Sequence, residues 1–307
     1  MKTLRIATRS SPLALWQAEH VAELLQQAHP GLHCELLPLS TFGDRWLEGA
    51  LASQGGKGLF VKELESALLD GSADLAVHSL KDVPMELPPG LDLGCFLSRH
   101  NPHDALIGAD SLDAVPQGAV IGTASQRRCM LIKARRPDLQ TRLLRGNVNT
   151  RLAKLDAGEY SAIVLAASGL ERLGLQERIG CELDASWMTP APGQGILGVE
   201  IRADDAPLRA LLQPLNDAQT AAVAAAERAL SRALGGSCAL PLAGYCQPQG
   251  GAWSMQAAIG LEDGRMLTRV QLQAAEPGAE LGLECAQALR AAGGDAVLQA
   301  LGQPQPE

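Results

Sequence analysis

Leu4-Arg5-Ile6-Ala7-Thr8, followed by Arg9-Ser10-Ser11-Pro12 and an apolar-periodic stretch to about Ala28, decides the fold. The first five residues read as a strand. Ser11 stands where a helix cap belongs and Pro12 in the first helical turn, where a missing N–H costs little. A strand passing directly into a helix is a β-α unit, and the device recurs. Apolar runs at Leu36 to Leu39, Leu75 to Val77, Leu91 to Leu97, Ala105 to Ile107, Val120-Ile121 and Ile163 to Ala166 are separated by helical patterns such as Phe60 to Leu69 and Val148 to Asp156. Such alternation predicts an α/β fold of mostly parallel sheets with helices on both faces. Past an alanine-rich helix from Thr220 to Leu234 the pattern changes. Short strands around Tyr245, Met255 to Ile259 and Leu267 to Leu272 precede a helix near Ala279 to Ala292, a small C-terminal α+β unit. Asn101-Pro102 and Pro190-Ala191-Pro192-Gly193 read as crossings between domains.

The 307 residues, 46% of them hydrophobic, can bury two or three cores of ordinary size. No apolar run is long enough to span a bilayer, and the N-terminal residues lead into a strand rather than a signal sequence, so the expected address is the cytoplasm. Seven cysteines form no C-x-x-C pair, which disfavours a disulfide framework or a zinc site. No metal is expected. A net charge of −8 argues against nonspecific nucleic-acid binding, yet residues 121–151 carry eight basic residues against one acid, Asp138. A basic cluster in an acidic chain suits a pocket for small anions, although Lys133, Arg135 and Arg136 also read as a solvated helix face.

Two familiar patterns fail on context. Gly193-Gln194-Gly195-Ile196-Leu197-Gly198 matches a dinucleotide fingerprint but precedes the strand-like Val199-Glu200-Ile201 instead of a helix. Gly55-Gly56-Lys57-Gly58 lacks the first glycine and the hydroxyl residue of a phosphate loop. More informative is Ala73-Asp74-Leu75-Ala76-Val77-His78-Ser79-Leu80-Lys81-Asp82-Val83-Pro84, a buried strand ending in a polar cluster, where parallel sheets bind ligands. Lys81 and Asp82 are candidates there, against the plainer reading of a capped turn with a surface ion pair. Gly122-Thr123-Ala124-Ser125-Gln126-Arg127-Arg128 and Leu144-Arg145-Gly146-Asn147-Val148-Asn149-Thr150-Arg151 each set arginines at a helix start, which favours anions. With Arg9 after the first strand, the series points to a carboxylate-binding cleft. Cys238, after Gly235-Gly236-Ser237, reads alone as a packing residue on a flexible loop.

Together and in order, these stretches resemble those of porphobilinogen deaminases. The matches are Arg5 to Gln17, Gly55 to Glu65, Ala76 to Pro84, Gly122 to Arg128, Leu144 to Leu152, Gly193 to Gly195 and the cysteine loop. The resemblance implies three domains: 1–98 with 194–216, 99–193, and 217–307. The first two are similar to periplasmic binding proteins with a cleft between them, and the first receives a strand after the second crossing. It implies a dipyrromethane cofactor held by a thioether at Cys238, with Ser79, Lys81, Thr123, Ser125, Arg127 and Arg128 on the cofactor's carboxylates. Asp82 corresponds to the catalytic carboxylate. Arg9, Ser11, Gln17, Arg145, Gly146, Arg151 and Arg172 correspond to positions that bind the incoming pyrrole or growing chain, and Lys57 and Phe60 to a lid. The implied activity is a transferase that joins four porphobilinogen molecules head to tail and releases a linear tetrapyrrole, acting as a monomer without nucleic acid or membrane. The chain departs from the family pattern at Phe42, Ser53, His103, Leu106 and Ala124, which thins the lid's positive charge. A relative that has lost turnover keeps the same residues, and a non-catalytic binding protein for a small dicarboxylate would share the first two domains but has no need of Cys238.

Overall fold

A computed structural model describes residues 3–40, 61–236 and 240–302. In chain order the elements are β1 (Thr3–Arg9), α1 (Pro12–Ala28), β2 (His33–Leu39), α2 (Lys62–Leu69), β3 (Leu75–Ser79), β4 (Leu91–Phe96), β5 (Asp104–Ile107), β6 (Val120–Thr123) and α3 (Gln126–Arg135). Then come β7 (Gln140–Leu143), α4 (Val148–Asp156), β8 (Ala162–Ala166), α5 (Ala167–Arg172), β9 (Cys181–Leu183), β10 (Leu197–Arg202), α6 (Ala206–Leu212) and α7 (Ala218–Ala233). Strands β11 (Leu242–Gln249), β12 (Ala252–Ile259) and β13 (Thr268–Ala274) lead to helices α8 (Ala279–Leu289) and α9 (Asp295–Ala300). None of the described helices is long and apolar enough to cross a membrane.

The chain forms two compact units, residues 1–100 with 195–221, and residues 101–194 with 222–307. In the first, a sheet runs in the order β2-β1-β3-β10-β4. β1 is parallel to β2 and β3, whereas β10 is antiparallel to both β3 and β4. The expected parallel sheet is thus present with one reversed strand, supplied by the segment after the second crossing. Helix α1 begins as expected, with the Ser11 hydroxyl accepting from Ala14 N at 3.4 Å. It buries Ala14, Gln17, Ala18, Val21, Ala22 and Leu25, a helical stripe that meets Leu4, Ile6, Leu75 and Val77 of the sheet.

The second unit repeats this strand pattern in the order β7-β6-β8-β5-β9, with β6 parallel to β7 and β8 and β5 reversed. Its antiparallel sheet β11-β12-β13 has a core of its own, filled by Val223, Ala226 and Leu230 of α7 and Leu281, Cys285 and Leu289 of α8. Ala243 and Ala258 of that sheet also pack with Leu106, Met130 and Met188. Buried Glu227 on α7 joins these parts, accepting from Gly193 N at 2.6 Å and Cys246 N at 2.8 Å. The predicted helix to Ala292 ends instead at Leu289. A wider turn over Arg290–Gly294 follows, because Gly293 takes φ +116°, which breaks the regular ladder before α9.

Glu65 on α2 is an acid among apolar neighbours, and burial, reinforced by the charge of Glu200, pushes its carboxyl up to about 7 against the opposing pull of His78 and Lys62. A raised folded value means that the stabilisation is fully present below the unfolded value near 4.5 and is lost as pH rises through about 7. Glu65→Gln should therefore gain on the parent protein by about 1–3 kcal/mol between pH 5 and pH 8. Urea unfolding at the two pH values checks this; parallel curves for parent and variant would contradict it.

Candidate active site

In the first unit, the described candidate residues collect at the carboxyl ends of β1 and β3, along one side of the sheet. β1 and β3 are parallel neighbours, so Arg9, at the end of β1, and Ser79, at the end of β3, emerge from the same side. Gln17 of α1 reaches that side from the helix, its buried Nε2 donating to Ser79 Oγ at 3.0 Å. The Ser11 hydroxyl is engaged as the cap of α1. Beyond Ser79 the chain makes one 3-10 turn, Leu80–Asp82. Leu80 N donates to Ile196 O at 2.9 Å, which ties this turn to the residues before β10. Leu80 is buried, Lys81 is half-buried and Asp82 is exposed. The turn therefore presents a carboxylate to solvent from a fixed base.

Basic residues gather at the corresponding strand ends in the second unit. β6, β7 and β8 are parallel, and their ends carry Thr123, the Leu144 to Gly146 segment and α5 respectively. Thr123 Oγ1 accepts from Ser125 N at 3.2 Å, and the Ser125 hydroxyl caps α3 by accepting from Arg128 N at 3.4 Å. Asn147 caps α4, its Oδ1 accepting from Thr150 N at 2.9 Å. Gly146 before it takes φ +109°, and an added Cβ would lie 2.7 Å from Thr150 Cγ2, so a side chain fits neither the conformation nor the space. Its carbonyl accepts from Arg151 Nε at 2.8 Å. Arg145 is half-buried, and its Nε is a buried donor with no hydrogen-bond partner among the described residues. Arg172 closes α5; burial lowers its guanidinium to about 10, with Glu171 opposing.

Arg127 and Arg128 differ from a solvent-facing clamp. They are 3% and 5% exposed and converge on Asp104, at the start of β5, which is fully buried. Asp104 Oδ2 accepts from Arg127 Nη1 at 2.7 Å, and Oδ1 accepts from Arg128 Nε and Nη2 at 3.0 and 2.7 Å and from Gln194 Nε2 at 3.0 Å. Arg127 Nη1 also donates to Thr189 O, and Arg128 Nη1 to Val164 O. Burial alone would push the Asp104 carboxyl up; the guanidiniums of Arg127 and Arg128 overcome it and hold the group well below the usual carboxylate range. Two cations against one anion leave this buried site with an excess positive charge, and Arg127 Nε has no hydrogen-bond partner among the described residues. An anionic group at the start of α3 fits that imbalance.

Asp104 was not among the sequence candidates. Its signal is an acid between the Asn101-Pro102 turn and an apolar strand, in a chain whose basic surplus begins at Arg127. The buried pair of His78 and Glu200 was missed as well, because both sit inside strands that read as plain core. Lys57, Phe60 and Cys238, with the departures Phe42 and Ser53, lie outside the described residues.

A family model described as porphobilinogen deaminase, dipyromethane cofactor binding domain, matches residues 4–210. A second, porphobilinogen deaminase, C-terminal domain, matches residues 221–291. The porphobilinogen deaminase of Stenotrophomonas maltophilia (strain K279a) is 58% identical over 268 residues, 86% of this chain and 88% of that relative. Among solved structures, a double mutant of the BvgS VFT2 domain of Bordetella pertussis shows 15% identity and a TM-score of 0.40, covering 68% of this chain and 84% of that one. A periplasmic binding protein of Salmonella typhimurium shows 11% identity and a TM-score of 0.39, covering 70% and 92%. By the two models that match in succession and the relative that matches along most of its length, the chain belongs to the porphobilinogen deaminase family.

Proposed function

We propose that this chain is a hydroxymethylbilane synthase that deaminates porphobilinogen, joins four molecules head to tail on a dipyrromethane primer held by a thioether at Cys238, and hydrolyses off the linear tetrapyrrole. Asp82 carries the reading: one exposed carboxylate on a turn just past the carboxyl end of β3 in a mostly parallel sheet, the end at which such sheets bind ligands. Loss of ammonia from the substrate's aminomethyl group leaves a cationic azafulvene. Asp82 stabilises that charge as it develops and moves a proton between the pyrrole nitrogen and the leaving amine. The primer, when bound, supplies the terminal pyrrole carbon that bonds to this cation. Ser79, Lys81, Thr123 and Ser125 hold the primer's carboxylates, and the excess charge of Arg127 and Arg128 attracts them to the start of α3. Arg9, Ser11, Gln17, Arg145, the Gly146 backbone, Arg151 and Arg172 hold the incoming ring and growing chain. Every ring brings two more carboxylates, which is why arginines recur along the chain where one clamp would serve a single ring. Residues 217–307 serve as a third domain carrying the primer, Lys57 and Phe60 as part of a lid, and the enzyme works as a cytoplasmic monomer.

Support for Cys238 comes from three of the other six thiols. Burial pushes Cys95 and Cys285 up to about 12 and Cys129 up to about 11, so these are poor nucleophiles at neutral pH. Intact mass and peptide mapping of the purified protein should find one dipyrrole adduct, on Cys238, absent from Cys238→Ala. An adduct on another cysteine, or one that survives the substitution, would refute the assignment. Unmodified protein that binds small dicarboxylates without turnover would favour the binding-protein reading instead.

A further inference from the structure

Behind the turn that carries Lys81 and Asp82 lies a set of ionisable side chains that the reaction above does not use. His78 on β3 is 6% exposed, and its Nε2 stands 2.9 Å from Oε2 of Glu200 on β10, which is fully buried. In the antiparallel pairing, His78 is opposite Gly198 and Glu200 is opposite Ala76, so the pair is a diagonal contact between adjacent strands. Glu200 Oε1 is buried without a hydrogen-bond partner among the described residues. Glu65 of α2 is the third member, close enough to respond to the charge of both. An imidazole and two carboxylates are thus withdrawn from water immediately before Ser79, Leu80, Lys81 and Asp82.

Stability does not account for them. Burying ionisable pairs costs solvation that their mutual attraction repays poorly, and apolar replacements are often neutral or better, whereas directional pairs are retained where they fix a register. β3 and β10 are otherwise held by an antiparallel backbone ladder, continued by Leu80 N donating to Ile196 O, and by apolar packing. To these the 2.9 Å contact adds a tie between side chains at the end of the strand, fixed at both of its atoms. Its place, one residue before the strand ends, sets it to control where the following turn emerges.

We propose that Glu200, acting through His78, is a positioning residue that holds the Ser79–Asp82 segment in the register that presents Asp82 to the developing cation. This rests on the role given to Asp82 above. Glu200 touches no substrate; it governs the placing of a group that does. Misplacing such a group by a fraction of its length is costly, since reacting groups must meet within narrow limits.

The test is a double-substitution cycle on the full chain with its primer attached, using Glu200→Gln, Asp82→Asn and the two combined. Turnover and Michaelis constant for porphobilinogen, intact mass and thermal unfolding are measured for each. Glu200→Gln should lower kcat about tenfold or more, change KM by less than about threefold and keep the adduct. In the Asp82→Asn background the same change should cost less than about twofold, because no carboxylate remains to be misplaced. Equal losses in both backgrounds, or kcat within twofold of the parent for Glu200→Gln alone, would overturn the proposal. Should Asp82→Asn keep full turnover, the catalytic role of Asp82 falls first and the positioning role with it. A normal Glu200→Gln beside an inactive Asp82→Asn defeats the positioning role alone. If Glu200→Gln yields too little folded protein, His78→Gln, which keeps a donor near Glu200 without the rigid ring, carries the same cycle with the same expected split.

Discussion

Asp82→Asn should lower turnover by about 10²–10³-fold while leaving the fold and the covalent primer in place. Asparagine keeps the size and one acceptor oxygen and removes only the charge. That charge has little to do in the resting protein, for Asp82 is exposed, and exposed substitutions of this kind shift stability within about 0.5 kcal/mol. Its contribution arises when ammonia departs and the substrate becomes cationic, so the loss falls on the chemical step and kcat drops with little change in KM. Asp82→Glu keeps the charge on a longer arm and should retain more turnover than Asp82→Asn. Steady-state rates, together with intact mass to confirm the primer, decide the matter. Turnover equal to the parent in Asp82→Asn would make Asp82 a structural residue and leave the mechanism without its charged group.

What the sequence made legible follows from how locally each feature is encoded. The helix over Val148–Asp156 is legible to its ends because its periodicity and the glycine turn before it are both visible within a few residues. Helix α1 was likewise announced by Ser11 and Pro12. Strands β7 and β9 carry no such local signal. They are three or four residues long at sheet edges, and β7, Gln140–Leu143, is mostly polar, so neither makes an apolar run. The reversal of β10 and β5 was hidden too, since alternation of strands and helices reports layers and not the direction of a strand that arrives from a distant crossing. Lys81 and Asp82, just past the end of a buried strand, could be picked out by position, whereas Ser79, Thr123 and Ser125 entered only through the family resemblance. Asp104 was reached by neither route, because its meaning depends on Arg127 and Arg128, more than twenty residues away in sequence, and on Gln194, ninety residues away.

Removing Asp104 should be the most damaging single change in the second unit, lowering its unfolding free energy by about 3–5 kcal/mol in Asp104→Asn at neutral pH. Four donor contacts converge on this carboxylate from α3 and the crossing segment, so its loss leaves two nearly buried guanidiniums without their counter-ion, while Gln194 Nε2 keeps Pro102 O as an acceptor at 2.7 Å. The cost comes from the stranded charges more than from the missing contacts. A second substitution separates the two: adding Arg127→Met to Asp104→Asn removes one of the unpaired cations, so the double variant should be more stable than Asp104→Asn alone, although it has lost still more hydrogen bonds. The pH dependence has a definite sign. Because the folded Asp104 carboxyl is held below its ordinary value near 3.8, its stabilisation is present above that value and is lost as pH falls through the folded one, so the deficit of the variant should be constant from pH 5 to pH 8. Urea unfolding of the parent, the single and the double variant at these pH values measures each step. A deficit below about 1 kcal/mol would mean that Arg127 and Arg128 find other acceptors when Asp104 is gone. A double variant less stable than the single one would mean that the arginines stabilise the second unit through packing, with the buried charge balance secondary.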